Sequence, residues 1–358
     1  MAEGALADLR IIELATGVAG PYCGKLLADL GADVIKAEPP EGDRSRRHGP
    51  FPGDVPHPDR SAQFLYLNAG KRGIVLDLGR GEDRALLIDL LSTADICITD
   101  LQHRERERLG LDYDALAKVN PRLIVTAVTP FGDVGPYRDY AGTSFTTYHV
   151  GGLGWGTPHN EVTDPEHEPP LVAGGYLADY VTGITAASAT LVGVTYREAY
   201  GVGQFIDISG MESIANAIRS SLGLLSANRE LPPTPVRKKT GYPWVWPCKD
   251  GYTSIALQRD HWWTALKEMM GNPEWAQSEL FDTGPGRMQY ADAIEPLIVE
   301  WLMEQSKDWL FAEGLRRDLP AFPVYSIADL FEAEQFKVRG SLIEVDHPGV
   351  GPVRQPGP

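Results

Sequence analysis

The chain has 358 residues, of which 43% are hydrophobic and 23% are charged, the balance of an ordinary globular protein with about two or three domains. Its formal net charge of −16 at pH 7 argues against a general affinity for nucleic acid or for anionic membranes. The opening MAEGALADLR lacks the basic and apolar regions of a secretory signal, and no apolar run approaches the ~20 residues that span a bilayer. The three cysteines, Cys23, Cys97 and Cys248, form no CxxC pair. We therefore expect a protein of the reducing cytoplasm.

Strands and helices alternate through the first third of the chain. The runs that predict strands are RIIEL, ADVIKAE, GIVLDL, DICITD and IVTAVTPFG. The segments that predict helices between them are PYCGKLLADL, GRGEDRALLIDLLSTA and LDYDALAKVNPRL. This alternation predicts an α/β fold in which helices pack on a parallel sheet, and its first three segments predict a βαβ unit.

The middle of the chain indicates a second, smaller domain. A long helix of small residues follows Asp179 and ends at Gly201, and QFIDIS predicts a further strand. Five prolines between Asn228 and Pro247 change the composition there, which is typical of a linker. Beyond it, the strand KDGYTSIAL and the helices HWWTALKEMM and YADAIEPLIVEWLMEQ predict a mixed α+β domain.

Several common kinds of site do not fit the sequence. The loop from Gly17 to Gly20 follows the first strand as in a dinucleotide-binding unit, but it is not GxGxxG, and Pro21 stands where backbone amides would meet a phosphate. No histidine or cysteine pair has metal-ligand spacing, and no GxSxG nucleophile elbow is present. We therefore expect no metal and no permanently bound cofactor.

Asp179 is the most informative residue of the sequence. It lies between a small apolar stretch and the long helix, at a predicted helix N-terminus with few neighbouring charges. An aspartate there is either an N-cap, for which it is among the best residues, or a reactive carboxylate. Two basic clusters, Arg44 with Arg46 and Arg47, and Lys71 with Arg72, are either solvated loop charges or contacts for an anionic ligand.

Segments spread over almost the whole chain carry a family resemblance. They are RIIELATGVAGPYCGKLLADLGADVIKAEPPEGD, NAGKRGIVLDL, ERLGLDYDALAKVNPRLIV, TPFGDVGP, REAYGVGQFIDIS, CKDGY, FPVYSIADL and the tail RG…HPGVG. In this order they resemble the class III CoA-transferase family, which includes formyl-CoA, carnitine and succinyl-CoA-dependent transferases and the α-methylacyl-CoA racemases. No segment decides the matter alone, whereas their order makes the resemblance specific.

The resemblance implies a fold and an assembly. It implies a Rossmann-like large CoA-binding α/β domain built from residues 1–227 with 321–358, and a smaller α+β domain of residues 228–320. It also implies an interlaced homodimer of ring-like chains. The implied partners are an acyl-CoA and a carboxylic acid acceptor, with coenzyme A as substrate and product.

The same resemblance implies the site residues. Asp179 occupies the position of the family's nucleophile, which forms a mixed anhydride and then an aspartyl-CoA thioester. The residues that the resemblance places against CoA are Val18, Ala19, Leu76, Asp77, Leu78, Asp100, Leu101 and Arg108. Arg108 is the preferred phosphate or adenine contact, because a guanidinium can pair with phosphate or stack on a base. Lys71 and Arg72 are second choices.

The chain also departs from the family pattern. Val18 replaces a glutamine of formyl-CoA transferases, Pro39 replaces an arginine, and no glycine-rich loop for oxalate is visible, which argues against a small dicarboxylate such as oxalate. A racemase needs a second acid/base group, and no histidine stands in the segment from Gly142 to Phe145, with His149 off register. We therefore expect an acyl-CoA:carboxylate CoA-transferase. The alternatives are a 2-methylacyl-CoA racemase and a non-catalytic CoA-binding subunit of a heteromeric transferase.

Overall fold

The computed structural model describes residues 4–158, 162, 164, 167–228 and 243–358. The chain divides into two compact units. The first comprises Met1–Thr157, Leu171–Leu231 and Ser341–Pro358, and the second comprises Pro158–Pro170 and Pro232–Gly340. Most of the predicted linker, residues 229–242, lies outside the described residues.

The first unit contains a six-stranded sheet, an antiparallel pair of strands and most of the helices described below. Its strands are β1 (Arg10–Leu14), β2 (Asp33–Glu38), β3 (Arg72–Val75), β4 (Ile96–Thr99), β5 (Ile124–Thr129), β6 (Phe205–Ser209) and the pair β10 (Leu342–His347) and β11 (Gly351–Pro356). Its helices are α1 (Ala19–Asp29), α2 (Ala62–Asn68), α3 (Gly81–Ser92), α4 (His103–Leu109), α5 (Tyr113–Val119), α6 (Ser144–Val150), α7 (Leu177–Tyr200), α8 (Gly210–Ala217) and α9 (Arg219–Asn228). Each strand predicted for this unit is present, although GIVLDL contributes only part of the four-residue β3.

The six strands run in the order β3-β2-β1-β4-β5-β6, and every neighbouring pair is parallel. This arrangement confirms the predicted α/β fold. The strand order reverses between β1 and β4, so a crevice opens at the carboxyl ends of these two strands. The register pairs Leu14 with Thr99, which brings the loops after β1 and β4 side by side.

Each face of the sheet is covered by helices. Successive strand residues point to opposite faces, and Ile11 and Ile12 accordingly lie in different hydrophobic clusters. Ile11 packs in the cluster that contains residues of α1 and α7, whereas Ile12 packs in the cluster that contains residues of α3 and α5. The buried Lys36 on β2 departs from this apolar pattern and belongs to the site below.

Helix α7 approaches its neighbours closely because its buried side carries small residues. A Cβ atom at Gly183 would lie 2.7 Å from the Ala19 carbonyl oxygen on α1, and one at Gly193 would lie 2.8 Å from Ile206 Cδ1 on β6. By length and composition alone, α7 could also cross a membrane, contrary to the expectation from the sequence. Its packing on the sheet explains this composition, since core helices share it.

The second unit has its own antiparallel sheet and hydrophobic core. Its strands are β7 (Val245–Cys248), β8 (Gly251–Ile255) and β9 (Ala321–Pro323), and its helices are α10 (Asp260–Met269), α11 (Gly284–Gln289), α12 (Ala291–Leu302), α13 (Lys307–Arg316), α14 (Ile327–Glu332) and α15 (Glu334–Arg339). Trp246, Trp263 and Leu266 are among its fully buried residues. Residues 321–340, which the sequence analysis placed with the large domain, belong to this unit because β9 pairs with β8.

Candidate active site

A cavity of about 750 Å³ opens at the carboxyl edge of the parallel sheet. Residues that end or follow all six strands contribute to its lining, among them Thr16, Pro39, Leu76, Asp100, Pro130 and Gly210. Helix α7 contributes Asp179 and Thr182 to the same lining. The cavity therefore lies where ligands bind in open parallel sheets.

Asp179 is the third residue of α7 and does not cap it. Tyr176 occupies the N-cap position with a positive φ of 59°, and no side chain of the described residues caps this end. The N-cap interpretation of Asp179 is therefore wrong. Its carboxylate makes no hydrogen bond or ion pair with any described residue, although the residue is partly buried and lines the cavity.

Burial changes the acidity of this carboxyl group. It raises the pKa of Asp179 from 3.8 to about 6, while the positive charge of Arg44 acts in the opposite direction. A pKa of about 6 still leaves most of the carboxylate ionised at neutral pH. The uncapped first turn of α7 places backbone N–H groups and the positive end of the helix dipole beside it. Asp179 is therefore a poorly solvated anion with access to the cavity.

The loop after β1 is fixed by an aspartate that follows β4. Asp100 Oδ2 accepts hydrogen bonds from the Thr16 backbone N–H at 2.9 Å and from the Thr16 hydroxyl at 3.1 Å. The Arg44 guanidinium lies over the same loop, with Nε 2.9 Å from Thr16 Oγ1 and Nη2 3.1 Å from Asp100 Oδ2. Burial raises the pKa of Asp100, and the contacts with Thr16 and Arg44 oppose that rise.

A cluster of buried charges, Glu13, Lys36, Asp43 and Lys71, is linked to the same loop. Lys36 Nζ lies 2.8 Å from Glu13 and 2.7 Å from Asp43, and Lys71 Nζ lies 2.7 Å from Glu13. Asp43 also accepts the Gly17 backbone N–H at 2.9 Å. The neighbouring carboxylates raise the pKa of Lys36 despite its burial, and Lys36 with hydrogen bonds lowers the pKa of Asp43 despite its own burial. Lys36 and Asp43 therefore form a charged pair that positions the loop, while burial lowers the pKa of Lys71 to about 8.

Comparison with known proteins identifies the family. The sequence model of CoA-transferase family III matches residues 6–358. The chain belongs to CoA-transferase family III. It is thus an enzyme that transfers CoA.

Three relatives illustrate the similarity. A succinyl-CoA:mesaconate CoA-transferase of Haloarcula marismortui is 33% identical over 97% of this chain and 87% of its own length. The succinyl-CoA–L-malate CoA-transferase beta subunit of Chloroflexus aurantiacus is 29% identical over 97% and 84%. The crystal structure of a CaiB/BaiF family protein from Brucella suis is 30% identical, covers 99% of this chain and 96% of that one, and superposes with a TM-score of 0.85.

The structure brings most of the predicted CoA contacts of this family III enzyme to one cavity. The predicted residues that line it, together with Asp179, are Val18, Ala19, Leu76, Asp77, Leu78, Asp100, Leu101 and Arg108. Arg108 lies on α4 with a side chain that is 67% exposed and only a long contact of 3.6 Å to Glu105, so its guanidinium is available to a ligand. Whether these residues contact CoA stays a prediction.

The two second-choice cations are not part of the cavity lining. Lys71 is buried with a side chain that is 1% exposed, and its ammonium is bound by Glu13, the Pro21 carbonyl oxygen and Asn68. It has no donor left for a phosphate. Arg72 is exposed at the start of β3 and pairs with Asp33 at 2.5 Å. The occupied ammonium of Lys71 does not fit the predicted CoA contact, whereas a contact of the exposed Arg72 with CoA stays a prediction.

Three cavity residues were missed as site candidates, namely Arg44, His48 and Tyr176. Arg44 belongs to a basic cluster noted in the sequence, but the cluster divides, since Arg46 pairs with Glu38 at 2.7 Å and Arg47 lies outside the lining. Nothing in the sequence marked His48 or Tyr176, whose Nδ1 and hydroxyl lie 3.3 Å apart. His149, the near-register histidine, packs against Phe145 and Tyr148 and is not among the lining residues.

Proposed function

We propose that this chain is an acyl-CoA:carboxylate CoA-transferase in which Asp179 is a covalent nucleophile. The observation that carries the proposal is the state of Asp179. Its carboxylate has no partner among the described residues, is poorly solvated and mostly ionised at neutral pH, and faces a cavity large enough for a substantial ligand. A buried carboxylate in a purely structural role is usually hydrogen-bonded or paired.

The reaction begins at the thioester carbon of the bound acyl-CoA. An Asp179 carboxylate oxygen attacks it, the carbon–sulfur bond breaks, and a mixed anhydride forms while CoA leaves as the thiolate. The thiolate then attacks the aspartyl carbonyl carbon, which releases the free acid and leaves an aspartyl-CoA thioester. The two steps then occur in reverse with an acceptor acid. The acceptor carboxylate attacks the aspartyl thioester, which forms a new mixed anhydride and releases the CoA thiolate. The thiolate attacks the acceptor's acyl carbon, so a new acyl-CoA leaves and the Asp179 carboxylate is regenerated.

The structure offers stabilisation for the charges that develop. Each attack produces an oxyanion next to Asp179, where the uncapped first turn of α7 presents backbone N–H groups. The anhydride and the aspartyl thioester must also be protected from water. The aspartyl thioester is close in energy to the substrate thioester, and the more reactive anhydride links the two, which divides one exchange into smaller steps.

The covalent intermediate can be trapped. The protein is incubated with succinyl-CoA, the donor that the names of two relatives contain, and then treated with hydroxylamine or borohydride. We expect the peptide that contains Asp179 to be modified, as detected by mass spectrometry, and Asp179→Asn to show neither modification nor exchange. An unmodified peptide during turnover, or full exchange by the variant, would overturn the proposal.

A 2-methylacyl-CoA racemase remains the second candidate, because His48 lines the same cavity as Asp179 and could act as the second acid/base group. A racemase exchanges the α-proton of its substrate with solvent. Incubation of a 2-methylacyl-CoA in D₂O should then introduce deuterium at Cα. Exchange of CoA between acids without deuterium uptake excludes this candidate.

The assembly is part of the proposal. We infer a homodimer, since α7 exposes apolar side chains such as Ile184, Val192 and Tyr200 that a second copy could cover. The cytoplasmic location stays an expectation from the sequence. The beta-subunit name of one relative supports the alternative of a heteromer whose partner supplies activity. Light scattering of the purified chain, with an exchange assay on the same sample, separates the two. Exchange by a homodimer alone excludes the requirement for a partner.

A further inference from the structure

Arg44 and Arg108 stand out in the cavity because the other charged residues of its described lining are acidic. Those acids are Glu41, Asp77, Asp100, Glu105 and Asp179. An anionic group that leaves water for this cavity needs a cation to offset its desolvation. Any tightly bound anion is therefore expected at one of these two arginines.

The two arginines lie in different parts of the lining. Arg108 belongs to α4, which follows β4. Arg44 lies over the loop after β1, and its short helix leads directly to His48. His48 Nδ1 lies 3.3 Å from the hydroxyl of Tyr176, the N-cap residue of the helix that carries Asp179. Arg44 is therefore the arginine on the Asp179 side of the cavity, and its charge acts to lower the pKa of that carboxyl. In CoA, the long pantetheine arm separates the phosphates from the thioester. An arginine beside the nucleophile consequently faces the acyl group, while Arg108 remains for the nucleotide.

Hydrogen bonds hold the guanidinium of Arg44 in place and leave some of its N–H donors available to a ligand. Its Nε and Nη2 atoms are occupied by Thr16 and Asp100. Its Nη1 atom makes no hydrogen bond with any described residue, and 68% of the side chain is exposed to the cavity and solvent. A planar guanidinium that is fixed along one side keeps its remaining N–H groups oriented for a carboxylate.

The backbone of Arg44 is fixed as well. It begins a short 3-10 helix, Arg44–Arg47, which Asp43 caps by accepting the Ser45 backbone N–H at 2.7 Å. Asp43 is itself buried against Lys36. The position of the guanidinium is therefore determined by the same buried charges that fix the loop after β1.

We propose that Arg44 binds the second carboxylate of a dicarboxylic acyl group, and thereby makes the enzyme selective for dicarboxylic over monocarboxylic acids. This inference rests on the proposed transferase function. It assigns a specificity role to Arg44 and no part in bond making.

The test compares succinyl-CoA with butyryl-CoA as donors. Both contain the same CoA and a four-carbon acyl chain, and they differ in a terminal carboxylate or methyl group. We expect Arg44→Gln to lower kcat/KM for succinyl-CoA by about ten- to a hundred-fold, the usual effect of losing a charge-assisted contact, and to change that for butyryl-CoA by less than about threefold. Arg44→Lys should retain part of the preference because it keeps the charge.

Arg47→Gln is the matched control, because Arg47 lies on the same short helix but outside the cavity lining. It should leave both donors unchanged. An equal loss for both donors with Arg44→Gln would mean that Arg44 binds a phosphate of CoA, and no loss would mean that it binds neither. Either result overturns the inference.

A binding measurement separates failure of the inference from failure of the transferase proposal. Calorimetry in an Asp179→Asn background, where no covalent step occurs, gives the affinities for CoA, succinyl-CoA and butyryl-CoA. We expect the additional Arg44→Gln change to weaken only succinyl-CoA. Selective weakening supports the role of Arg44 even if exchange is never detected, whereas exchange without selective weakening refutes that role alone.

Discussion

Asp43 accepts a hydrogen bond from the backbone N–H of Gly17 at 2.9 Å. The first residue lies beyond β2, in the chain that leads to Arg44, and the second lies in the loop after β1. Their contact ties together the two segments that flank the cavity next to Asp179. The other oxygen of Asp43 lies 2.7 Å from Lys36 Nζ. The geometry of the site therefore depends on the buried charge of Lys36.

Replacement of Lys36 by Met should therefore destabilise the protein strongly. It leaves Glu13 and Asp43 buried with one cation fewer, a situation that typically costs about 3–5 kcal/mol. Urea denaturation measures the free energy of unfolding. The double variant Asp43→Asn with Lys36→Met should recover part of the loss, because it also removes the carboxylate that loses its paired cation, whereas Glu13 keeps Lys71. An unchanged urea midpoint for Lys36→Met would contradict the role of the cluster.

The pH dependence of the reaction should report the acidity of Asp179. Because the carboxylate is the attacking form and its pKa is raised to about 6, kcat/KM should fall as the pH decreases through about 6. Arg44→Gln removes the positive charge that lowers this pKa, so the fall should move to higher pH. Arg47→Gln should not move it. A fall near pH 4 that is insensitive to Arg44 would show that another group controls the rate.

Asp179→Asn should stabilise the fold while abolishing activity. The pKa is 3.8 without the fold and about 6 within it, so the protonated form favours folding below pH 3.8 and this contribution is lost as the pH rises through 6. The neutral asparagine avoids that loss. We expect a gain of about 1–3 kcal/mol at pH 8 and little gain at pH 4, after allowing for partial exposure. Urea denaturation at both pH values measures the change in the free energy of unfolding that Asp179→Asn causes. An equal change at both pH values would exclude charge burial as the cause.

Gly183→Ala should disturb the position of Asp179. The added Cβ would lie 2.7 Å from the Ala19 carbonyl oxygen and 3.0 Å from the Tyr22 ring, so α7 must move away from α1. Because overpacking typically costs about 1–3 kcal/mol, both the thermal midpoint and the exchange rate should fall. Gly81→Ala, at the start of α3, gains the helix propensity of alanine with its nearest neighbour 3.9 Å away, and it should not lower stability. Equal results for the two variants would contradict the close packing of α7.

Much of the fold could be predicted from sequence patterns. The alternation of apolar runs with helical segments predicted the parallel sheet, because a strand buried on both faces must be apolar along its whole length. The strands β1, β2, β4 and β5 accordingly appear within the predicted segments. The end of the smaller unit at Gly340, rather than at the predicted residue 320, did not follow from local pattern, since the pairing of β9 with β8 joins residues far apart in the chain.

Less of the candidate site could be predicted from sequence patterns. Asp179 could be singled out because a carboxylate beside a helix of small residues is unusual, but the sequence left capping as an alternative. The backbone conformation excludes Asp179 as the N-cap, because Tyr176 takes a left-handed conformation and α7 begins directly after it, at Leu177. Asp179 therefore lies within the first turn of the helix, where its carboxylate is free to face the cavity.

The sequence by itself therefore determined most of the elements, the family resemblance and the strongest candidate for the nucleophile. Only the tertiary structure decided which basic residues face the cavity. Lys71 meets Glu13 across 58 positions of sequence and is occupied by a buried ion pair. Arg44 lines the same cavity as Asp179, and its Nη1 atom has no hydrogen-bond partner in the part of the chain that the structure describes. The physical reason is that a charged side chain can bind a ligand only if other residues do not already pair with it. Those partners lie far away in the sequence, so a local sequence pattern does not reveal them.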